Sequence, residues 1–302
     1  MPGAGSTVGP GASRPGGVME KWNLIVDVAL CQNCNNCVLA AKDELVGNTF
    51  PGYSAPHAPQ GPGVLRMERS IRGSGHMTQP AHRPVMCNHC DDAPCLKAGG
   101  DAVRKRPDGI VIIDPEKARG RRDLVDACPY DVIVWNEAEQ VPQNWFFDAH
   151  LLDQGWKTPR CVNVCPTGAI EAVKLSDQAM AARVQHEGLR PIRPDLGTRP
   201  RVHYRNAHYF DRMFVGGSIV AEVQGRRECI EGARVQLYRD GQFHGESSSD
   251  GFGDFKFDDL PMADADWRVM VSHPVHGQAV SHARGGLQSM CLGEISLIGG
   301  VS

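Results

Sequence analysis

No apolar run in these 302 residues comes near the ~18 that a membrane-crossing helix needs, so a helical bilayer span is excluded. An excess of positive charge is missing too. Lys and Arg number 32 against 35 Asp and Glu, a formal net charge of −3, which argues against a nucleic-acid partner. The N-terminal "MPGAGSTVGPGASRPGGVMEKW" lacks the apolar centre of a secretory signal and is rich in Gly, Pro and Ser. It reads as a disordered tail over 1–19, with Met19 as an alternative start, and the chain is expected to be cytoplasmic. Global disorder is excluded in turn, because 41% hydrophobic and 22% charged residues suffice for a real core. At this length two domains are expected.

What the chain does have is cysteine in a pattern. Nine of its eleven cysteines lie between positions 31 and 165, as Cys31, Cys34, Cys37; Cys87, Cys90, Cys95; Cys128; and Cys161, Cys165. Cys229 and Cys291 stand alone and read as packed thiols. A disulfide framework does not suit a long chain without an export signal. Zinc takes four ligands, usually from two separated pairs. "CQNCNNC" instead crowds three thiolates onto one loop, which suits a cubane with closely spaced iron corners.

A ferredoxin-type run ends in a fourth cysteine before a proline, but here that place is Ala41. In two-cluster ferredoxins the fourth cysteine of each run serves the other run's cluster. Two distant Cys-Pro sites are present, "DACPYDV" at Cys128 and "NVCPTGAI" at Cys165. Two triplets and two Cys-Pro sites make two complete sets of four. Counting leaves open which Cys-Pro completes which triplet.

Around these cysteines the residues predict an α+β fold. The β-branched runs "NLIVDVAL", "GIVIIDP", "DVIVW" and "GAIEAVKL" each flank a cysteine loop and read as strands. "SDQAMAARVQHEGL" predicts a helix with Ser176 as N-cap, an Ala179/Met180/Val184 stripe and an end near Gly188. Residues 47–84 read as a long loop, too polar and too rich in Gly and Pro for a strand pair. Its arginines and histidines suit either docking of a larger subunit or plain solvation. From about 214 the chain turns to short alternating runs with Gly, Asp and Pro at their ends, predicting a β-sandwich of about seven strands with "RDGQ" as a turn. The acids from Asp250 to Asp259 read as turn residues rather than calcium ligands. No nucleophile–base set or nucleotide loop is visible, so this chain is not read as the catalytic partner of anything.

The motifs "CQNCNNC", "CNHCDDAPC", "DGIVIIDPEKARG", "ACPYDVIVWN" and "PRCVNVCPTGAI", in that order over about 22–175, resemble the four-motif iron–sulfur subunits of the dimethyl sulfoxide reductase family of molybdopterin enzymes. The resemblance implies a duplicated bacterial-ferredoxin-like domain over 20–205 with motif one paired to motif four and motif two to motif three. One [4Fe–4S] cluster would then take Cys31, Cys34, Cys37 and Cys165, and a second Cys87, Cys90, Cys95 and Cys128. It also implies two lost clusters. One lacks ligands at Ala41, Trp145 and Asp148 and retains only Cys161, which reads as a leftover buried thiol. The other lacks them at Gly99, Ala118, Arg121 and Leu124. Trp145, Phe146 or Phe147 is expected to fill the first vacated place and Leu124 to line the second.

The segment 214–302 resembles transthyretin or carboxypeptidase-regulatory sandwiches. With "PGY", "AHLLD" and "LGTRPRVHYRN", the whole is similar to the branch of pyrogallol–phloroglucinol transhydroxylase and resorcinol hydroxylase small subunits. That implies a large molybdopterin-carrying catalytic subunit as partner, acting on polyhydroxylated aromatic rings, and a higher-order heterodimer assembly. The chain is then an electron-transfer subunit or, as the alternative, a structural subunit whose clusters mainly hold the fold.

Overall fold

The computed structural model describes residues 19–299, so the expected tail lies, but for Met19, outside the described residues. The N-terminal part runs β1 (Lys21–Asp27), α1 (Asn36–Leu45), β2 (Arg66–Arg72), β3 (Gln79–Val85), α2 (Pro94–Gly99), β4 (Val103–Lys105) and β5 (Val111–Ile113). It continues with α3 (Asp123–Asp126), β6 (Val134–Asn136), β7 (Val141–Gln143), α4 (Ala149–Asp153), α5 (Arg160–Asn163), β8 (Ile170–Leu175), α6 (Asp177–Glu187) and β9 (Val202–Arg205). The four strands anticipated beside the cysteine loops are β1, β5, β6 and β8.

Strand β1 lies between β8, antiparallel, and β9, parallel, and its apolar run is continuous because both faces are covered. Leu24 and Val26 enter the main core, while Ile25 packs under α6 against Met180 and Leu189. Helix α6 starts where expected. The Ser176 hydroxyl accepts from the Ala179 N–H at 3.1 Å, and Gly188 closes the helix at φ 61°. Ala179, expected in the apolar stripe, is exposed; Met180 and Val184 carry the contact.

One expectation is overturned. Residues 66–85 are a strand pair, with β2 and β3 forming a two-stranded antiparallel ribbon. Its two prolines, Pro80 and Pro84, lie four residues apart and therefore face the same kind of pair, one that asks no N–H of either. Polar strands pair here because their side chains have partners, such as Arg83 with Glu68 at 2.9 Å, and because the C-terminal part receives the ribbon's tip.

Short helix α7 (His208–Asp211) leads into the C-terminal part: β10 (Arg212–Val223), β11 (Arg226–Cys229), β12 (Arg234–Arg239), β13 (Gln242–Ser248), β14 (Asp254–Pro261), β15 (Ala265–His273), β16 (Gly277–Gly285), β17 (Met290–Ser296) and β18 (Ile298–Gly299). These are nine strands among the described residues rather than about seven, because β11 and β18 are too short to show as runs. One sheet is built on β10 with β11, β14 and β17; the other has the order β13-β12-β15-β16-β18. Alternate residues of β15 (Ala265, Trp267, Val269, Val271) are buried in a core shared with Val215, Ile219, Phe255 and Ile295. At the β12–β13 turn Asp240 and Gly241 both take positive φ, 49° and 81°, as a two-residue hairpin requires. No helix among the described residues is long and apolar enough to cross a membrane.

Candidate metal centres

The two cysteine triplets share a local geometry. The residue before the second cysteine, Asn33 in one and His89 in the other, has positive φ, 55° and 47°. Asn tolerates this region better than most residues, which suits a loop that turns its cysteines one way. The Cys-Pro sites repeat each other too. Each follows a one-turn helix, α3 or α5, and the third residue after the cysteine is left-handed: Asp131 at φ 53° and Gly168 at φ 65°. In both turns that residue's N–H donates to the cysteine carbonyl, at 3.1 Å for Cys128 and 3.3 Å for Cys165. Four loops of two kinds therefore form two structurally repeated halves.

The fold crosses these halves. Cys31, Cys34, Cys37 and Cys165 line one cavity together with Met67 and Pro84. Cys87, Cys90, Cys95 and Cys128 line another, walled by Val111, Ile113, Tyr130 and Ile133. The Asn36 side chain ties the first set, donating to the Val164 carbonyl beside Cys165 at 3.3 Å. The second set is tied by loop 198–201. Asp91 and Asp92 N–H groups donate to the Arg199 and Thr198 carbonyls at 3.0 Å each, and the Arg201 N–H donates to Asn88 at 2.8 Å. Lys105 adds bonds to the His89 and Cys90 carbonyls at 2.9 and 2.7 Å and pairs with Asp91 at 2.8 Å. Lys105 carries no spacing signal, so sequence reasoning had no means of finding it, and the 198–201 loop appeared only as part of the motif "LGTRPRVHYRN", with no tie to a cysteine triplet.

Electrostatically the thiols are frustrated as they stand. Burial raises Cys37 to about 11 and Cys95 to about 12, moves Cys87 further in the same direction, and raises Cys31 and Cys90. In every case a neighbouring cysteine is a secondary cause in the same direction, Cys128 being the one for Cys90. Clustered thiolates, several of them buried, are untenable alone and become favourable beside a cation, since a coordinating thiol is deprotonated by its metal. Among the described residues no three His, Cys, Asp or Glu converge closely enough for a single ion. Thiols spread around a cavity without converging on one point fit a polynuclear group better than zinc. His89 completes the second wall. Its Nδ1 accepts from the Val111 N–H at 3.0 Å and burial lowers its pKa to about 3, so the ring is neutral.

The places read as vacated are solid. Trp145, Phe146 and Phe147 are each 1% exposed and Leu124 is fully buried. Trp145 packs on Phe147 with centroids 4.9 Å apart and on His89 at 5.6 Å. Asp148 accepts from Trp145 Nε1 at 3.3 Å and from the Arg160 N–H at 2.7 Å, with burial raising its pKa. Cys161 is buried and lines neither thiol cavity. Cys229 is exposed and Cys291 half-buried, and neither lines a thiol cavity, so only Cys291 suits the packed-thiol reading. Asp250 accepts from the Phe252 and Asp254 N–H groups at 2.9 Å each, the work of a turn acid.

A family model described as a 4Fe-4S dicluster domain matches residues 79–175. The pyrogallol hydroxytransferase small subunit of Pelobacter acidigallici is 44% identical over 245 residues, covering 80% of this chain and 88% of that one. A tetrathionate reductase subunit of Salmonella typhimurium is 29% identical, over 63% of this chain and 74% of its own. A sulfite dehydrogenase subunit of Allochromatium vinosum is 29% identical, over 62% and 83%.

Proposed function

The chain belongs to the iron–sulfur subunits of the dimethyl sulfoxide reductase family, beside the pyrogallol hydroxytransferase small subunit, and from that premise we propose that it is an electron-transfer subunit with two [4Fe–4S] clusters. The observation that carries the number is the pair of cavities, each lined by one triplet and one Cys-Pro cysteine. Cys31, Cys34, Cys37 and Cys165 would hold the first cluster and Cys87, Cys90, Cys95 and Cys128 the second. Such a group supplies one-electron storage when bound. The chain's own part is to present thiolates from fixed turns, exclude water at the second site and seat its partner at the first, where Cys34 is exposed. We read the partner as a large molybdopterin-containing subunit acting on polyhydroxylated aromatic rings, in an assembly of such heterodimers. The residues 20–205 are its iron–sulfur domain and 214–302 a transthyretin-like sandwich. Cys229, an exposed thiol outside both sets, suits the reducing cytoplasm.

Iron and acid-labile sulfide analysis tests the number: about eight irons per chain are expected, and about twelve would overturn it. A second reading, that the clusters mainly hold the fold, draws on the enclosure of Cys87, Cys90 and Cys95 within the main core. Redox titration during turnover separates the two. Reversible reduction coupled to substrate supports electron transfer, and clusters that stay in one oxidation state support the structural role.

A further inference from the structure

The β2–β3 ribbon joins two places that are far apart in sequence. At its base Met67 and Pro84, directly paired, form part of the wall of the first thiol cavity. At its tip Gly73 has φ 74°, and a Cβ there would lie 2.4 Å from the Phe214 ring, so the turn is pressed against β10. Met77 reaches over Gly216 so closely that a Cβ at 216 would meet its sulfur at 2.8 Å. His76 Nε2 lies 3.0 Å from Ser218 Oγ.

Between base and tip sits Arg72, only 3% exposed. Its guanidinium donates to both Asp258 oxygens, at 2.8 and 3.1 Å, to Gln79 Oε1 at 2.6 Å and to the His208 carbonyl at 3.3 Å. It lies over the Tyr209 and Phe214 rings, 4.7 and 5.5 Å from their centroids. Lys256 supports the same group, 3.0 Å from Gln79 and 2.7 Å from Asp258. Tyr209 in turn lines a cleft with Cys31, Gln32 and strand β3. A buried guanidinium without its carboxylate is strongly unfavourable, so the ribbon and the C-terminal part hold or release together.

We propose that the C-terminal part is a clamp that keeps the β2–β3 ribbon closed over the Cys31/Cys34/Cys37/Cys165 cavity, with Arg72 and Asp258 as its positioning pair. The second cavity takes no wall residue from 66–85 and is the internal comparison; the ribbon reaches it only through Arg66, which donates to the Tyr130 and Asp131 carbonyls at 3.2 and 2.7 Å, so a weaker change is expected there. The reading that the first cavity holds a cluster underlies the consequence for iron, whereas the clamp itself does not depend on it.

The experiment uses the full chain as purified with its partner. Asp258→Asn removes the charge and keeps the shape, Asp258→Glu restores the charge, and Lys256→Met weakens the same group mildly. Amide hydrogen exchange over 66–85 is expected to speed up about a hundredfold in Asp258→Asn, to return most of the way in Asp258→Glu and to rise modestly in Lys256→Met. Chelator-driven iron loss and the electron paramagnetic resonance signal should change more at the first site than at the second. Unchanged exchange over 66–85 in Asp258→Asn, or equal loosening at both sites, overturns the clamp. Should the wild-type first site prove to hold no iron, the exchange measurement still decides the clamp, while the cluster assignment alone fails.

Discussion

The two thiol cavities are built from the same pair of turns and differ in what covers them. Cys87, Cys90 and Cys95 are 8%, 7% and 8% exposed, sealed by β5 and the 198–201 loop. At the first cavity Cys34 is open to solvent, Cys31 and Cys165 are half-buried, and part of the wall belongs to a ribbon held from another part of the chain. A repeated local design thus yields one site that is part of the core and one that is part of the surface. The difference lies in long-range neighbours, since the cysteine loops themselves have matching φ angles.

The sharpest way to break this comparison is to remove one cysteine from each side. Cys87→Ser leaves two buried thiols and the half-buried Cys128 around an apolar cavity, where an incomplete ligand set has little solvent to compensate it. That chain is expected to lose the second cluster and fail to accumulate in folded form, because metal binding at a core site is folding free energy. Cys34→Ser, at the open site, is expected to fold and to lose only first-site iron. Soluble yield and iron content per chain measure both. Equal yields for the two variants would erase the distinction between core and surface sites.

The next largest effect concerns the place that is solid rather than hollow. Trp145 fills space between His89, Phe147 and Asp148. Trp145→Ala is expected to cost about 3–5 kcal/mol, the range for emptying an aromatic site in a rigid core. Denaturant titration of the iron-loaded chain checks it. A loss of less than about 1 kcal/mol would mean that the core there collapses easily and that the aromatic is incidental.

The cysteine loops were legible in sequence because each loop is local: spacing, Cys-Pro and flanking β-branched runs all lie within a few residues, whereas which Cys-Pro faces which triplet came only from the resemblance. Also legible were β1, β8 and α6, where Ser176 and Gly188 mark the ends of the helix. The β2–β3 ribbon was not, and the reason is physical. Its order rests on Arg72 reaching Asp258, 186 residues away, and on a tip received by β10, and neither leaves a mark on local periodicity. Lys105 capping two carbonyls of the second triplet was hidden for the same reason.

Asp148 sharpens the comparison through pH. Burial raises its pKa, so the protonated form is favoured in the fold relative to the unfolded chain. Its contribution is present below the unfolded value of about 3.9 and is lost as pH rises through the folded value. Asp148→Asn never acquires the buried charge. Its stability relative to wild type should therefore improve from acid to neutral pH, by about 1.4 kcal/mol for each unit by which the folded value exceeds the unfolded one. Any fixed offset from the amide's poorer match to two N–H donors is independent of pH. A flat difference between pH 3 and 7, measured by chemical denaturation, would show that the fold leaves the Asp148 pKa at its unfolded value.

The smallest expected effect decides how many sites there are. Cys161 sits beside Asp148 and within electrostatic reach of Cys37 and Cys165, and burial raises its pKa well above the ordinary thiol range. A ligand position would need three more donors, but its nearest neighbours include a carboxylate already bonded to Trp145 and Arg160. The space a cluster would occupy is taken by rings 4.9 Å apart. Cys161→Ala therefore removes one packed sulfur and nothing else, at a cost of roughly 1 kcal/mol. Iron and sulfide per chain and both resonance signals should stay as in the wild type. A drop of about four irons would place a cluster at Cys161 and turn the solid region into a third hollow.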